Sequence, residues 1–115
     1  MTGGRAPRTK GDRAERSLVL FLQANGFGAE RVPLSGSAGG SYVGDLIVPL
    51  LGIDRVVEVK ARAKGFAQLY AWLENRDLLV VRADRRESLV ILPLRLAVEI
   101  AKVAERGKAG GGREK

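Results

Sequence analysis

The stretch from Gly44 to Arg62, Gly-Asp-Leu-Ile-Val-Pro-Leu-Leu-Gly-Ile-Asp-Arg-Val-Val-Glu-Val-Lys-Ala-Arg, constrains this chain more than any other. Two apolar, partly β-branched runs, Leu46–Leu51 and Val56–Val59, flank a turn signal around Gly52 and Asp54, which predicts a β-hairpin. Glu58 and Lys60 stand two apart, so on a strand they share one face while Val57 and Val59 take the other. Asp45 opens the partner strand, and paired strands run about 4.8 Å apart, which brings Asp45 near Glu58. Two carboxylates about 5 Å apart repel by roughly 3 kcal/mol at an effective dielectric near 20. A cation relieves that repulsion, so the hairpin reads as a Mg²⁺ site with a lysine beside it.

What else the chain can do is bounded by what it lacks. There is no cysteine and no histidine among its 115 residues. Thiol and imidazole catalysis, Cys/His zinc sites and disulfides are therefore excluded, leaving carboxylates, hydroxyls and Lys/Arg for chemistry. The balance of 20 Lys+Arg against 13 Asp+Glu gives +7 and a pI near 10.4, which suits a polyanionic partner such as nucleic acid. With no membrane-length apolar run and no signal-peptide pattern, a cytoplasmic protein without a membrane partner is expected.

The rest of the chain reads as one domain. Residues 1–10 carry Arg5, Arg8 and Lys10 among glycine and proline, and are expected to be a flexible basic arm. From Asp12, read as a helix cap, Ala14, Leu18, Phe21 and Leu22 recur at helical spacing up to the stop signal Asn25-Gly26. Glu15 falls at the edge of that apolar stripe, in the first turn. A short strand is expected over Phe27–Leu34, then a small-residue loop, Ser35–Ser41, whose hydroxyls and N–H groups suit phosphate. Beyond the hairpin, Phe66, Leu69, Tyr70 and Leu73 predict a helix, and Trp72 is read as a packing or dimer contact. Leu78–Val81 and Leu89–Leu92 predict strands, and Leu94–Arg106 a last helix with Leu94, Ala97, Val98 and Ala101 inward. A disordered tail is expected over 107–115, which leaves 11–106 as the folded domain. The order is α-β-β-β-α-β-β-α, an α/β fold with a central mixed sheet flanked by helices.

Glu-x-Lys alone carries little information. Its setting carries more: a strand of valines expected at the sheet's centre, an acidic residue opening the neighbouring strand, and a preceding helix bearing Glu15. Mg²⁺ takes hard oxygen ligands, which Asp45 and Glu58 supply, joined by the Val59 carbonyl. Such an ion acidifies a bound water and polarises a phosphoryl oxygen, and Lys60 can orient the water or offset developing charge.

Several linked motifs resemble the archaeal-type Holliday junction resolvases of the PD-(D/E)XK nuclease superfamily. Lys10-Gly11-Asp12-Arg13-Ala14-Glu15-Arg16 is similar to that family's Lys-Gly-x-x-x-Glu-Arg opening. Gly26-Phe27 follows, then Arg31-Val32-Pro33-Leu34-Ser35-Gly36-Ser37-Ala38, which resembles Arg-x-Pro-x-Ser-Gly-Ser-Ala, and then Asp45 and Glu58-Val59-Lys60. The resemblance covers Lys10–Arg62 and weakens after it. It implies a restriction-endonuclease-like core and a homodimeric, Mg²⁺-dependent endodeoxyribonuclease, with Mn²⁺ as substitute, that cuts four-way junctions in DNA recombination and repair. On it Glu15, Asp45, Glu58 and Lys60 are catalytic, with Glu15 a further possible metal ligand. Arg16, Arg31, Ser35 and Ser37 face DNA, and Arg5, Arg8, Lys10, Arg13, Arg62 and Lys64 are basic positions expected to join them. Two departures lie just before the metal aspartate: Gly44 stands where the family has proline, and Gly40-Ser41-Tyr42-Val43 looks like an insertion.

Two other readings fit the same residues: a nicking or restriction-type nuclease on duplex DNA, and an inactive DNA-binding module of the same fold. In every case phosphate contacts supply affinity, each releasing about one counterion. DNA binding is expected to weaken more than about tenfold between 50 and 200 mM salt, as read by fluorescence anisotropy, if at least two or three phosphates are contacted.

Overall fold

The computed structural model describes the backbone of residues 5–32 and 45–114, and the side chains of residues 11–32 and 45–107. Its elements are α1 (Arg5–Ala24), β1 (Glu30–Arg31), β2 (Leu46–Leu50), β3 (Ile53–Val57), α2 (Ala67–Leu73), β4 (Leu79–Val81), β5 (Leu89–Ile91) and α3 (Leu94–Glu114). The α/β class and the element order are those expected from the sequence. By its internal contacts the chain divides into two compact units, Met1–Ala61 and Arg62–Lys115.

In the first unit α1 ends where Asn25-Gly26 predicts. Gly26 takes φ +94°, the left-handed conformation that glycine adopts without a Cβ penalty. That turn lets the N–H of Gly26 reach the Gln23 carbonyl and the N–H of Phe27 reach the Leu22 carbonyl, both at 3.0 Å. Leu22 and Phe27 are themselves buried, so the helix stop doubles as a hydrophobic clasp. The chain then doubles back beside α1, where the Gln23 amide donates to the Ala29 carbonyl at 2.9 Å. β1 pairs antiparallel with β2 through Glu30↔Ile47 and Arg31↔Leu46, and β2 pairs antiparallel with β3 from Leu46↔Val57 to Leu50↔Ile53. Alternation along β2 sends Leu46 (0% exposed) and Val48 into the core with Leu22, Phe27 and Ala29.

The second unit holds α2, the β4–β5 ribbon paired through Leu79↔Ile91, Val80↔Val90 and Val81↔Leu89, and α3, with Val98 buried. Pro93 begins the last helix as expected, its carbonyl accepting from Leu96 and Ala97. Tyr70, Trp72, Val80, Leu89 and Val90 are exposed. Among the described residues no helix is long and apolar enough to cross a membrane.

Several expectations are corrected. α1 begins at Arg5, so residues 5–10 are helical instead of an arm, and Asp12 lies inside the helix and does not cap it. An isolated interior glycine such as Gly11 costs only about 1 kcal/mol, which a helix propagating from packed turns tolerates. α3 continues past Gly107 to Glu114, where a disordered tail was expected. The strands belong to two antiparallel sheets, β1-β2-β3 and β4-β5, in place of one central mixed sheet. Strands that follow one another through a direct turn pair antiparallel, as β2–β3 and β4–β5 do. The β2–β3 turn falls at Leu51-Gly52, with φ +57° and +81°, and Asp54 lies in β3 opposite Pro49. A two-residue loop with both φ positive matches the natural twist of a hairpin, which outweighs the poor fit of leucine to that conformation. β3 therefore starts and ends earlier than expected, and it is an edge strand of its sheet. Of the strand expected over Phe27–Leu34, the described residues form Glu30–Arg31, while Pro33, Leu34 and the Ser35–Ser41 loop lie outside the described residues.

Leu46 is the fully enclosed side chain of this sheet. Leu46→Ala is expected to destabilise the protein by about 2–5 kcal/mol, measured by urea unfolding.

Candidate active site

The site is assembled at one end of the three-stranded sheet. Asp45 immediately precedes β2; its carbonyl accepts from the Val32 N–H at 3.0 Å and its N–H donates to the Val57 carbonyl at 2.8 Å. The ladder ends at Leu46↔Val57, so Asp45 and Glu58 each stand one residue past the last pair, at the same end of the two strands.

The backbone past β3 then wraps the aspartate. The Val59 N–H donates to Asp45 Oδ2 at 2.7 Å, a short, charge-assisted bond. Glu58 and Lys60 form an ion pair, Nζ to Oε2 at 3.1 Å, with side chains 54% and 56% exposed. These two residues lie beyond the end of β3, not on a buried valine strand. An exposed pair of this kind is worth only about 0.2–1 kcal/mol, so Glu58 is readily released to another cation. Among the described residues, Asp45 Oδ1 and Glu58 Oε1 accept no hydrogen bond. Two carboxylates and a carbonyl are donors of the hard, anionic type that Mg²⁺ accepts, and Mg²⁺ completes its shell with water. The donor set therefore fits a divalent ion.

Glu15 takes a different place. Arg31 Nε donates to Glu15 Oε1 at 3.0 Å, and Arg31 Nη2 lies 2.8 Å from the same oxygen and 2.9 Å from Asp12 Oδ1. The hydrogen bond to Glu15, with that to Asp12 after it, raises the Arg31 guanidinium above its ordinary pKa although partial burial opposes it. Among the described residues no group of three or more acidic side chains gathers as a metal cluster, so Glu15 does not join Asp45 and Glu58. The pleat accounts for this. Arg31 lies opposite Leu46, on the face that β2 buries, while Asp45 precedes Leu46 and alternates to the other face.

Of the basic positions, Arg13 and Arg16 are exposed on α1 in the first unit, and Arg62 and Lys64 are exposed in the second. Arg31 is half-buried and already paired, unlike a free phosphate contact. Arg5, Arg8 and Lys10 lie on α1 with their side chains outside the described residues, as do Ser35 and Ser37 altogether. Asp12 was missed as a partner of Arg31. The i,i+3 spacing of Asp12 and Glu15, which places both on one helical face, was the available signal.

Comparison with known proteins gives a consistent picture. The family described as archaeal Holliday junction resolvase (hjc) matches residues 6–106, which takes in most of both units. Crossover junction endodeoxyribonuclease Hjc of Sulfolobus acidocaldarius is 40% identical over 93 residues, 81% of this chain and 64% of that protein. The protein of the same name from Sulfurisphaera tokodaii is 36% identical over 89 residues, 77% of this chain and 61% of that protein. The chain thus spans less than two thirds of the length of these relatives. No solved structure matches it significantly.

Asp45→Ala removes the acceptor of the Val59 N–H. It is expected to cost about 1–3 kcal/mol in urea unfolding without added metal, with Asp45→Asn, which keeps an acceptor, closer to wild type.

Proposed function

Because the chain belongs to the archaeal Holliday junction resolvase family, whose restriction-endonuclease-like α/β fold its element order fits, we propose that it is a divalent-metal-dependent endodeoxyribonuclease that resolves four-way DNA junctions. The observation that carries the reading is the enclosure of Asp45 by the Glu58-Val59-Lys60 segment, with the Val59 N–H on one carboxylate oxygen and Lys60 on Glu58. Residues 11–106 form the nuclease domain in this reading, and the protein works in the cytoplasm.

Asp45, Glu58 and the Val59 carbonyl hold the ion, Mg²⁺ with Mn²⁺ as substitute. The bound ion supplies an acidified water and a polarised phosphoryl oxygen. Hydrogen bonding from Val59 keeps Asp45 from rotating away, so its second oxygen remains directed by the backbone. Lys60, once Glu58 is engaged elsewhere, carries an uncompensated positive charge beside the scissile phosphate and offsets charge developing on its oxygens. Glu15 assists from α1. Arg5, Arg8, Lys10, Arg13, Arg16, Arg31, Ser35, Ser37, Arg62 and Lys64 are assigned to DNA, with Arg31 acting through its carboxylate partners as much as through phosphate.

A junction has two strands to cut and each chain has one Glu-x-Lys site, so the working form is a homodimer. The exposed Tyr70, Trp72, Val80, Leu89 and Val90 support it, since they leave apolar surface for a contact.

The purified protein is expected to cut four-way junctions with Mg²⁺, and Glu58→Ala or Lys60→Ala to abolish cutting while junction binding persists. Unchanged cleavage by Glu58→Ala overturns the assignment. A junction preference below about tenfold over linear duplex of the same sequence, equal to 1.4 kcal/mol, moves the substrate to duplex DNA. Binding without cleavage under either metal reduces the protein to a DNA-binding module.

A further inference from the structure

Asp12 has no part in the site derived above, yet it is the outer member of an ion-paired trio. Arg31 turns one edge of its guanidinium toward α1, with Nε and Nη2 both on Glu15 Oε1, at 3.0 and 2.8 Å. Nη2 also reaches Asp12 Oδ1 at 2.9 Å, so a single nitrogen ties the two carboxylates together. The side chains are graded in exposure, Glu15 at 18%, Arg31 at 31% and Asp12 at 46%. Asp12 therefore closes the guanidinium from the solvent side.

Three consequences follow. The trio carries two negative charges and one positive, so a phosphate reaches Arg31 only in competition with Asp12 and Glu15. Glu15 Oε1 is fixed by two donors, while Oε2 has no partner among the described residues. Finally, Arg31 pairs with Leu46, the residue after Asp45, so the trio links α1 to the strand that heads the candidate site. A guanidinium suits this link better than an ammonium, because its planar fork holds its donors in a fixed geometry.

We propose that Asp12 is a positioning residue: by bracing Arg31 against Glu15 it fixes α1 to β1 and, through the pairing of Arg31 with Leu46, the placement of Asp45 at the head of β2. The inference rests on the nuclease reading for its consequence, but the brace itself is measurable without any activity.

The test compares wild type, Asp12→Ala and Asp12→Asn in the full-length protein. The first readout is hydrogen exchange of the Arg31 Nε–H by NMR. That proton is bonded to Glu15, not to Asp12, so it responds to Asp12 only if the brace transmits. Asp12→Ala is expected to speed its exchange about tenfold or more, with Asp12→Asn between the two. The second readout is single-turnover cleavage of saturating junction DNA. Asp12→Ala is expected to slow it by about tenfold, with junction Kd within about twofold of wild type, because misplacing a reacting group lowers the rate and not the binding. In an Arg31→Ala background the Asp12 substitution adds less than about twofold, since residues acting as one unit are not additive. Thermal melting of each variant identifies any that fails to fold, and Asp12→Asn then carries the comparison. Unchanged Arg31 exchange in Asp12→Ala overturns the brace. Tighter junction binding with an unchanged rate also overturns it, showing Arg31 to be a phosphate contact that Asp12 restrains. A wild-type protein that cuts nothing overturns the nuclease reading, and the exchange measurement alone then decides the brace.

Discussion

The backbone pairing at the head of β2 is the interaction on which the site depends. Asp45 is bonded on both sides, accepting from Val32 and donating to Val57, so its position is set by the sheet and not by a flexible loop. Leu46, the next residue, is wholly enclosed and cannot move without opening the core of its unit. A one-residue slip would carry Leu46 to the solvent face and Asp45 into the core, which desolvation forbids. The buried leucine thereby determines where the aspartate points.

From that fixed point the chemistry spreads in two directions with different rigidity. Toward β3, the Val59 N–H clasps Asp45 while Glu58 and Lys60 stay exposed in a weak pair. A tightly bound lysine would compete with any other cation for the carboxylate, and this exposed pair is too weak to do so. Toward β1, the half-buried Arg31 binds two carboxylates of α1 and ties helix to sheet. Several donors on shared acceptors hold better than one exposed pair. The exposed side of the site can exchange partners, and the shielded side keeps its geometry.

The two units differ in how much they bury. The first closes a core of Leu22, Phe27, Ala29, Leu46 and Val48, whereas the second leaves Tyr70, Trp72, Val80, Leu89 and Val90 in solvent. A two-stranded ribbon is marginal by itself, and Val80, Leu89 and Val90 on this one are exposed.

Much of this was legible in residue order. The helix stop at Asn25-Gly26, the hairpin carrying Asp45 and Glu58, α2 and the start of α3 at Leu94 all follow from turn chemistry and periodicity, which are local. The absence of cysteine and histidine restricts the chemistry to carboxylates, hydroxyls and Lys/Arg whatever the fold. Three things were settled only by tertiary structure. The turn sits at Leu51-Gly52 because strand twist favours a loop with both φ positive, although Asp54 looks the better turn residue. Glu58 and Lys60 project past an edge strand because that turn shortens the register. Arg31 faces Asp12 and Glu15, 19 and 16 residues earlier, because the chain doubles back beside α1 after Gly26. Local pattern can say that a residue is charged and on which side of an element it stands. Which distant charge it meets depends on how the elements pack, and packing brings together residues that sequence spacing keeps apart.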